Sequence, residues 1–390
     1  MWLYLLIFLI PVVSYYYPFR KDTYRLYFLA CYLTFLAFFV GMADMFGGYD
    51  RYIYGDCFDT IADVTSAHGS YLYEGVFDYF PTEYGYTVIN IIISFFTANR
   101  YVFILLITFS IYILLFVSLR KYAKDYPLAL ILFMGLWFYF TFTYLRQVLG
   151  TTIVWLSIDY IVKRRFWRFF AVFLVACLVH KSAVIFFPLY FIAVRKYSRQ
   201  TVLIIMFVMF VVGLSPIPNT LFMLYGDVSV IEMQSDYHSA GGFRIAYVLE
   251  AVFFLYVILT NYRYVGNKPV DYVTLNMALV FCAVLLFFVR SENGGRLAWY
   301  FMLGVIVTVS NLIVRGSNRS AWSVLAIGVC LFLYVRVYTS WQVYLNLYPY
   351  KTFLTNGFRA GDYSHEFYEY DSGYDKDKLY RAPFRIEFNL

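Results

Sequence analysis

Apolar runs of about 17–25 residues, the thickness of a bilayer core, recur along nearly the whole length of this 390-residue chain. Of its residues 62% are hydrophobic, 23% aromatic and only 14% charged. A soluble domain of this size could not hide so much apolar surface. The sequence therefore reads as an all-α polytopic integral membrane protein. Its net charge of +7 is no nucleic-acid signal, because the basic residues sit in small clusters between apolar runs, as membrane loops do. The opening Met1-Trp-Leu-Tyr-Leu-Leu-Ile-Phe-Leu-Ile-Pro lacks a basic n-region and a small-residue cleavage site, so it reads as a retained first helix rather than a signal peptide. Cys31, Cys177, Cys282 and Cys330 lie in apolar runs and Cys57 in a loop, with neither a disulfide framework nor metal-ligand spacing.

Charge orders the topology. Basic clusters occur at Arg20-Lys21…Arg25, Arg120-Lys121…Lys124, Lys163-Arg164-Arg165…Arg168, Arg195-Lys196…Arg199, Arg263…Lys268 and Arg315…Arg319, and the positive-inside bias puts all six in the cytoplasm. Asp44–Glu83 is the reverse: Asp44, Asp50, Asp56, Asp59, Asp63, Glu74, Asp78 and Glu83 stand against Arg51. It reads as outside. Each apolar stretch between two inside loops then crosses an even number of times. Residues 26–118 cross twice, with 86–98 left over as a short helix dipping in from outside. Residues 127–162 cross twice and turn at Thr141–Arg146. Residues 200–262 cross twice around an outer loop at 215–242, marked by Pro216, Pro218 and Gly241-Gly242. Residues 270–314 cross twice and turn at Arg290–Arg296. The 26 residues 169–194 lie between two basic loops, so they are expected as two half-length helices meeting at His180-Lys181-Ser182. Such helices are tolerated where they line a cavity within the protein. The expectation is about twelve crossings with both ends outside. Residues 1–340 form the membrane domain, with outer loops at 44–85 and 215–242. Residues 341–390 form a polar, aromatic tail on the outer face.

This topology puts Arg51, Arg100, Arg146, Lys181, Arg244, Arg290 and Arg296 outside or near the outer boundary, against the charge bias. A charge inside such apolar context costs roughly 2.5–3.5 kcal/mol on the mildest scale, so it needs a partner or a purpose. Arginines gathered at tight apolar turns suggest a buried anion site, since the planar guanidinium suits phosphate oxygens. Arg146-Gln147 opens an inward helix beside Thr141 and Thr143; the plainer reading is an arginine snorkelling to headgroups. His180 beside Lys181 is either a capped helix break or a base or phosphate ligand. In Arg290-Ser-Glu-Asn-Gly-Gly-Arg296 the glycines permit a tight bend, and Glu292 could pair with an arginine. Asp50 and Glu83 bracket the first outer loop, either as solvated acids or as bases near the cations. No P-loop, dinucleotide fingerprint or HExxH is present, and no inside loop could hold a nucleotide-binding domain.

At these residues the sequence resembles the EpsG family of polysaccharide polymerases, related in role to Wzy. The shared features are Gly48…Asp50…Tyr52, Glu83-x-Gly85-Tyr86…Asn90, Arg146-Gln147, His180-x-Ser182 and Arg296 near Tyr300. The resemblance extends from about residue 20 to 340. It implies a glycosyltransferase-C-like fold in a bacterial cytoplasmic membrane. It also implies a metal-independent enzyme without cofactor, joining undecaprenyl-diphosphate-linked repeat units into capsule, exopolysaccharide or O-antigen at the outer face. Arg146 and Arg296 would hold the donor diphosphate, with Arg290, Lys181 and Gln147 in support. His180, Glu83 or Asp50 would take the acceptor proton, His180 being first in rank. The expected partners are lipid-linked oligosaccharides, the membrane, a flippase and a chain-length regulator, and no nucleic acid. A flippase, or a ligase of the O-antigen type, would need a similar cationic cavity.

Overall fold

The computed structural model describes residues 1–17, 22–48, 50–224, 243–291, 294–342, 347–355 and 376–385. Arg20, Lys21, Gly241, Gly242, Glu292, much of the 215–242 loop and most of the 341–390 tail lie outside the described residues. About 75% of the described residues are helical, and they contain no strand.

The helices, numbered over the described residues, are α1 (Trp2–Tyr16), α2 (Asp22–Gly41), α3 (Arg51–Ser66), α4 (Tyr84–Ser94), α5 (Arg100–Tyr122), α6 (Tyr126–Leu136), α7 (Phe140–Thr143), α8 (Leu145–Trp155) and α9 (Ile158–Val162). They continue with α10 (Phe166–Val179), α11 (Leu189–Ile192), α12 (Arg199–Gly213), α13 (Ile217–Leu224), α14 (Ile245–Thr260), α15 (Pro269–Phe287), α16 (Met302–Arg315) and α17 (Arg319–Gln342). Among the described residues five segments are long and apolar enough to cross a membrane: Tyr24–Gly41, Arg100–Tyr122, Pro269–Phe287, Gly294–Arg315 and Arg319–Trp341. Shorter apolar helices stand among them. Gly294–Arg315 runs through the centre, 89% buried, whereas Arg319–Trp341 lies at the periphery, 22% buried. Large apolar side chains such as Ile204, Phe207, Leu249 and Phe332 point outward, the inverse of a soluble protein and the pattern that lipid accepts.

Local chemistry sets the helix starts. Asn99 caps α5, its Oδ1 accepting from the Tyr101 N–H at 2.9 Å. Asp125 caps α6 through the Leu128 N–H at 3.1 Å, with Pro127 in the first turn. Ser198 caps α12 through Thr201 at 3.1 Å. Each side chain satisfies a donor that the helix leaves open.

Contacts at the helix ends separate into two networks. One joins the flanks of the basic clusters. Arg319 reaches Tyr15 and Asp125, Lys121 pairs with Asp159, and Arg164 donates to the Tyr190 carbonyl at 2.6 Å. Asn276 donates to the Ala193 and Arg195 carbonyls, both at 2.7 Å. Tyr262 donates to the Tyr197 carbonyl, Arg315 pairs with Asp271 at 3.0 Å, and the Lys124 N–H donates to Asn311. The other network, at the far ends of the same helices, joins Glu83, Arg146, Lys181, Arg296 and their surroundings.

The turns fall where the charges suggested. Residues 127–162 reverse at Tyr144, the junction of α7 and α8. In the 169–194 stretch α10 ends at His180, whose extended backbone (φ −151°, ψ 116°) breaks the helix. A 3-10 segment, Lys181–Phe186, and α11 return the chain to the end from which it came. The acidic segment 44–85 differs from the irregular loop its charge suggests, because it carries α3. This amphipathic helix packs Tyr54, Phe58 and Ile61 inward. The described parts of the tail dock close by. Asp44 N–H donates to the Lys351 carbonyl at 3.1 Å, Arg381 pairs with Asp63, and Arg385 donates to the Ala62 carbonyl.

Two of the cations expected on the outer side are structural. Arg51 is fully buried and donates to the carbonyls of Val40, Gly41 and Ala43 at 2.9, 3.3 and 2.9 Å, closing the open end of α2. Arg100 pairs with Asp56 at 2.7 Å and Asp59 at 2.6 Å. Arg51→Met keeps the apolar stem but strands those carbonyls, so it should lower stability by about 2–3 kcal/mol. An unchanged thermal midpoint of the purified protein would contradict this role.

Candidate functional site

The second network centres on Glu83, the residue before α4. Its carboxylate is almost wholly buried. Oε2 accepts from Arg146 Nη1 at 2.6 Å, and Oε1 accepts from the Lys181 N–H at 3.0 Å. One carboxylate thus ties the α7–α8 turn to the α10 break. The Arg146 guanidinium lies over the Phe80 ring, 4.4 Å from its centroid, and 5.4 Å from that of Tyr54. A ring on one side and a carboxylate at one edge hold it in place, yet 26% of its side chain remains exposed.

His180 sits where α10 breaks. Its Nδ1 accepts from the Ser182 N–H at 3.3 Å and lies 2.7 Å from Ser182 Oγ and 3.3 Å from the Tyr300 hydroxyl. Ser182 Oγ and the Tyr300 hydroxyl are themselves 2.9 Å apart. A backbone donor on Nδ1 assigns that nitrogen the lone pair, so the neutral ring carries its proton on Nε2. Among the described residues Nε2 has no hydrogen-bond partner.

Arg296 enters from the central 3-10 segment, Gly294–Phe301. Its guanidinium stacks 4.2 Å from the Tyr144 ring centroid, and Nη2 reaches a Tyr144 hydroxyl at 3.0 Å. Gln147 donates to the Arg296 carbonyl at 2.9 Å, so it positions the segment rather than presenting its amide. Arg146 and Arg296 both act electrostatically on Asp50 and His180. Burial pushes the Asp50 carboxyl above its ordinary value, and the two arginines pull it back. Among the described residues only the Tyr54 hydroxyl reaches its side chain, at 3.5 Å.

Of the candidate residues, Asp50, Glu83, Arg146, Gln147, His180, Lys181 and Arg296 therefore share one region. Arg290 stands apart, half-buried and donating to the Leu214 carbonyl at 3.2 Å. The expected Glu292 pairing lies outside the described residues. Tyr54 and Tyr144 escaped the sequence reading. The available signal was only their nearness in sequence to Asp50 and Arg146.

Close packing fixes the geometry. A Cβ on Gly85 would lie 2.9 Å from backbone and side-chain atoms of Leu178, so α4 meets α10 where only glycine fits. Gly85→Ala should part Glu83 from the His180 break and lower activity about tenfold at equal protein level. Full activity in membranes from cells expressing it would show that this contact does not matter.

Fold and site together define a multi-pass helical membrane protein with a polar, arginine-bearing site at one end of its bundle. The EpsG family model matches residues 26–352, and the chain belongs to the EpsG family. No curated protein and no solved structure matches it.

Proposed function

We propose that this protein is a Wzy-like polysaccharide polymerase working on repeat units linked to undecaprenyl diphosphate. The observation that carries the reading is the meeting of Arg146, Arg296, His180 and Asp50 at the tips of separate helix hairpins. Family membership supports it. The basic network would face the cytoplasm by the positive-inside bias, leaving the arginine site outside, in the cytoplasmic membrane of a bacterium. Counting the short hairpins, about twelve segments would cross. Residues 1–340 would form the membrane domain, and residues 341–390 an appendage on the outer face.

In this mechanism Arg146 and Arg296 bind the donor diphosphate, and Lys181 adds positive potential. An acceptor hydroxyl attacks the anomeric carbon, the bond from that carbon to the diphosphate oxygen breaks, and the lipid diphosphate leaves. Negative charge grows on the leaving oxygens, where preorganised guanidiniums in a low-dielectric site act most strongly. The hydroxyl proton goes to a base. Both Glu83 oxygens are engaged, and His180 Nδ1 is held as an acceptor within the protein. Asp50 has open lone pairs and suits the task best, displacing His180 from first rank. His180 Nε2–H is placed to donate to a phosphate oxygen.

Deleting the gene in its host tests the reading. Single repeat units on lipid diphosphate, with polymer absent, support a polymerase. Full-length polymer left on its lipid carrier would indicate a ligase. Single units confined to the cytoplasmic side would indicate a flippase.

A further inference from the structure

Arg296 and Tyr144 also wall a cavity of about 330 Å³ that extends between α14, α15 and α17. Tyr247, Trp299 and Trp341 line it with aromatic rings, and two charges besides Arg296 open onto it. Glu250 lies within Ile245-Ala-Tyr-Val-Leu-Glu-Ala-Val-Phe-Phe, an otherwise apolar helix. Arg336 faces it from α17, close enough to act on it electrostatically. Among the described residues neither side chain has a hydrogen-bond or ion-pair partner. A charge in a membrane helix is costly unless it serves a site. A hydrocarbon chain in this cavity would leave both charges unsatisfied. A polyhydroxyl ring would satisfy them and present an apolar face to the aromatic walls. The volume lies at the small end of ligand pockets, too small for a long glycan.

We propose that this cavity is a carbohydrate subsite, with Glu250 accepting hydrogen bonds from sugar hydroxyls, Arg336 donating to sugar oxygens, and Trp299 or Tyr247 under the ring. The inference rests on the arginine site next to it, through Arg296 and Tyr144, being the donor diphosphate site.

The test uses the purified full-length protein in nanodiscs and two separate probes. The first is the host's repeat-unit oligosaccharide, freed of lipid and phosphate, and the second is inorganic pyrophosphate. Wild-type protein should bind both. Glu250→Gln keeps shape and removes charge, and Ala246→Phe fills the cavity. Each should weaken oligosaccharide binding at least tenfold and leave pyrophosphate binding unchanged. Arg146→Ala should do the opposite. Oligosaccharide binding equal to wild type in both cavity variants overturns the subsite, and a fall in melting midpoint with unchanged binding would assign Glu250 to holding α14 in place. Oligosaccharide binding without any pyrophosphate binding would instead sink the diphosphate assignment and leave the cavity standing. Loss of affinity on removing a hydroxyl from the oligosaccharide's non-reducing end identifies the acceptor as occupant; loss on altering its reducing sugar identifies the donor.

Discussion

Arg146→Ala should cut polymer formation by at least about 100-fold, the usual cost of deleting one preorganised donor from a site of developing negative charge. The same change removes the partner of a buried carboxylate. Glu83 would then keep only the Lys181 N–H, and breaking a buried pair costs about 3–5 kcal/mol. Low activity in that variant therefore mixes two causes. Arg146→Lys separates them, since it keeps a positive charge beside Glu83 but loses the planar, bidentate fork. It should fold like the wild type and still polymerise poorly. The double variant Arg146→Ala with Glu83→Ala should regain stability, having no stranded carboxylate, without regaining activity. Pulse-labelled polymer per unit of membrane protein, read beside the melting midpoint, checks all three. Wild-type polymer levels from Arg146→Lys would show that the fork has no part in the reaction.

Asp50→Asn should be comparably severe, a loss of about 10²–10⁴-fold, the range for removing a general base. The contrast with His180→Gln is the informative one. A glutamine amide can accept from the Ser182 N–H and also donate, so that variant should keep a larger share of activity. If His180→Gln loses more than Asp50→Asn, the order of the two roles is reversed. Initial rates at saturating substrate compare them fairly, because a binding defect alone would recover there.

What could be read from the residues before any fold was known was mainly the placement of charge. Arg146 in an apolar run, the polar break at His180 and the Arg290–Arg296 turn each cost too much in lipid to be incidental, and each marks a real reversal of the chain. The fate of a given cation was not legible. Arg51 and Arg146 look alike in sequence, yet one caps α2 and the other faces the site. The difference lies in where the α2 carbonyls fall, and Arg100 finds Asp59 forty-one residues away. The helix α3 stayed hidden because its acidic surface masks the apolar stripe that packs inward. Glu250, a carboxylate in an apolar helix, went unread in the sequence, and its setting depends on Arg336 and the aromatic walls from distant segments.

The most direct test is to incubate purified protein with lipid-linked repeat units alone and count both products. Polymer growing on lipid diphosphate, with one free lipid diphosphate released for each new glycosidic bond and far less released by the normally folded Arg146→Lys, is the predicted result. Repeat units that stay single, with no lipid diphosphate set free by the wild-type protein, would contradict the assignment of this site to glycosyl transfer.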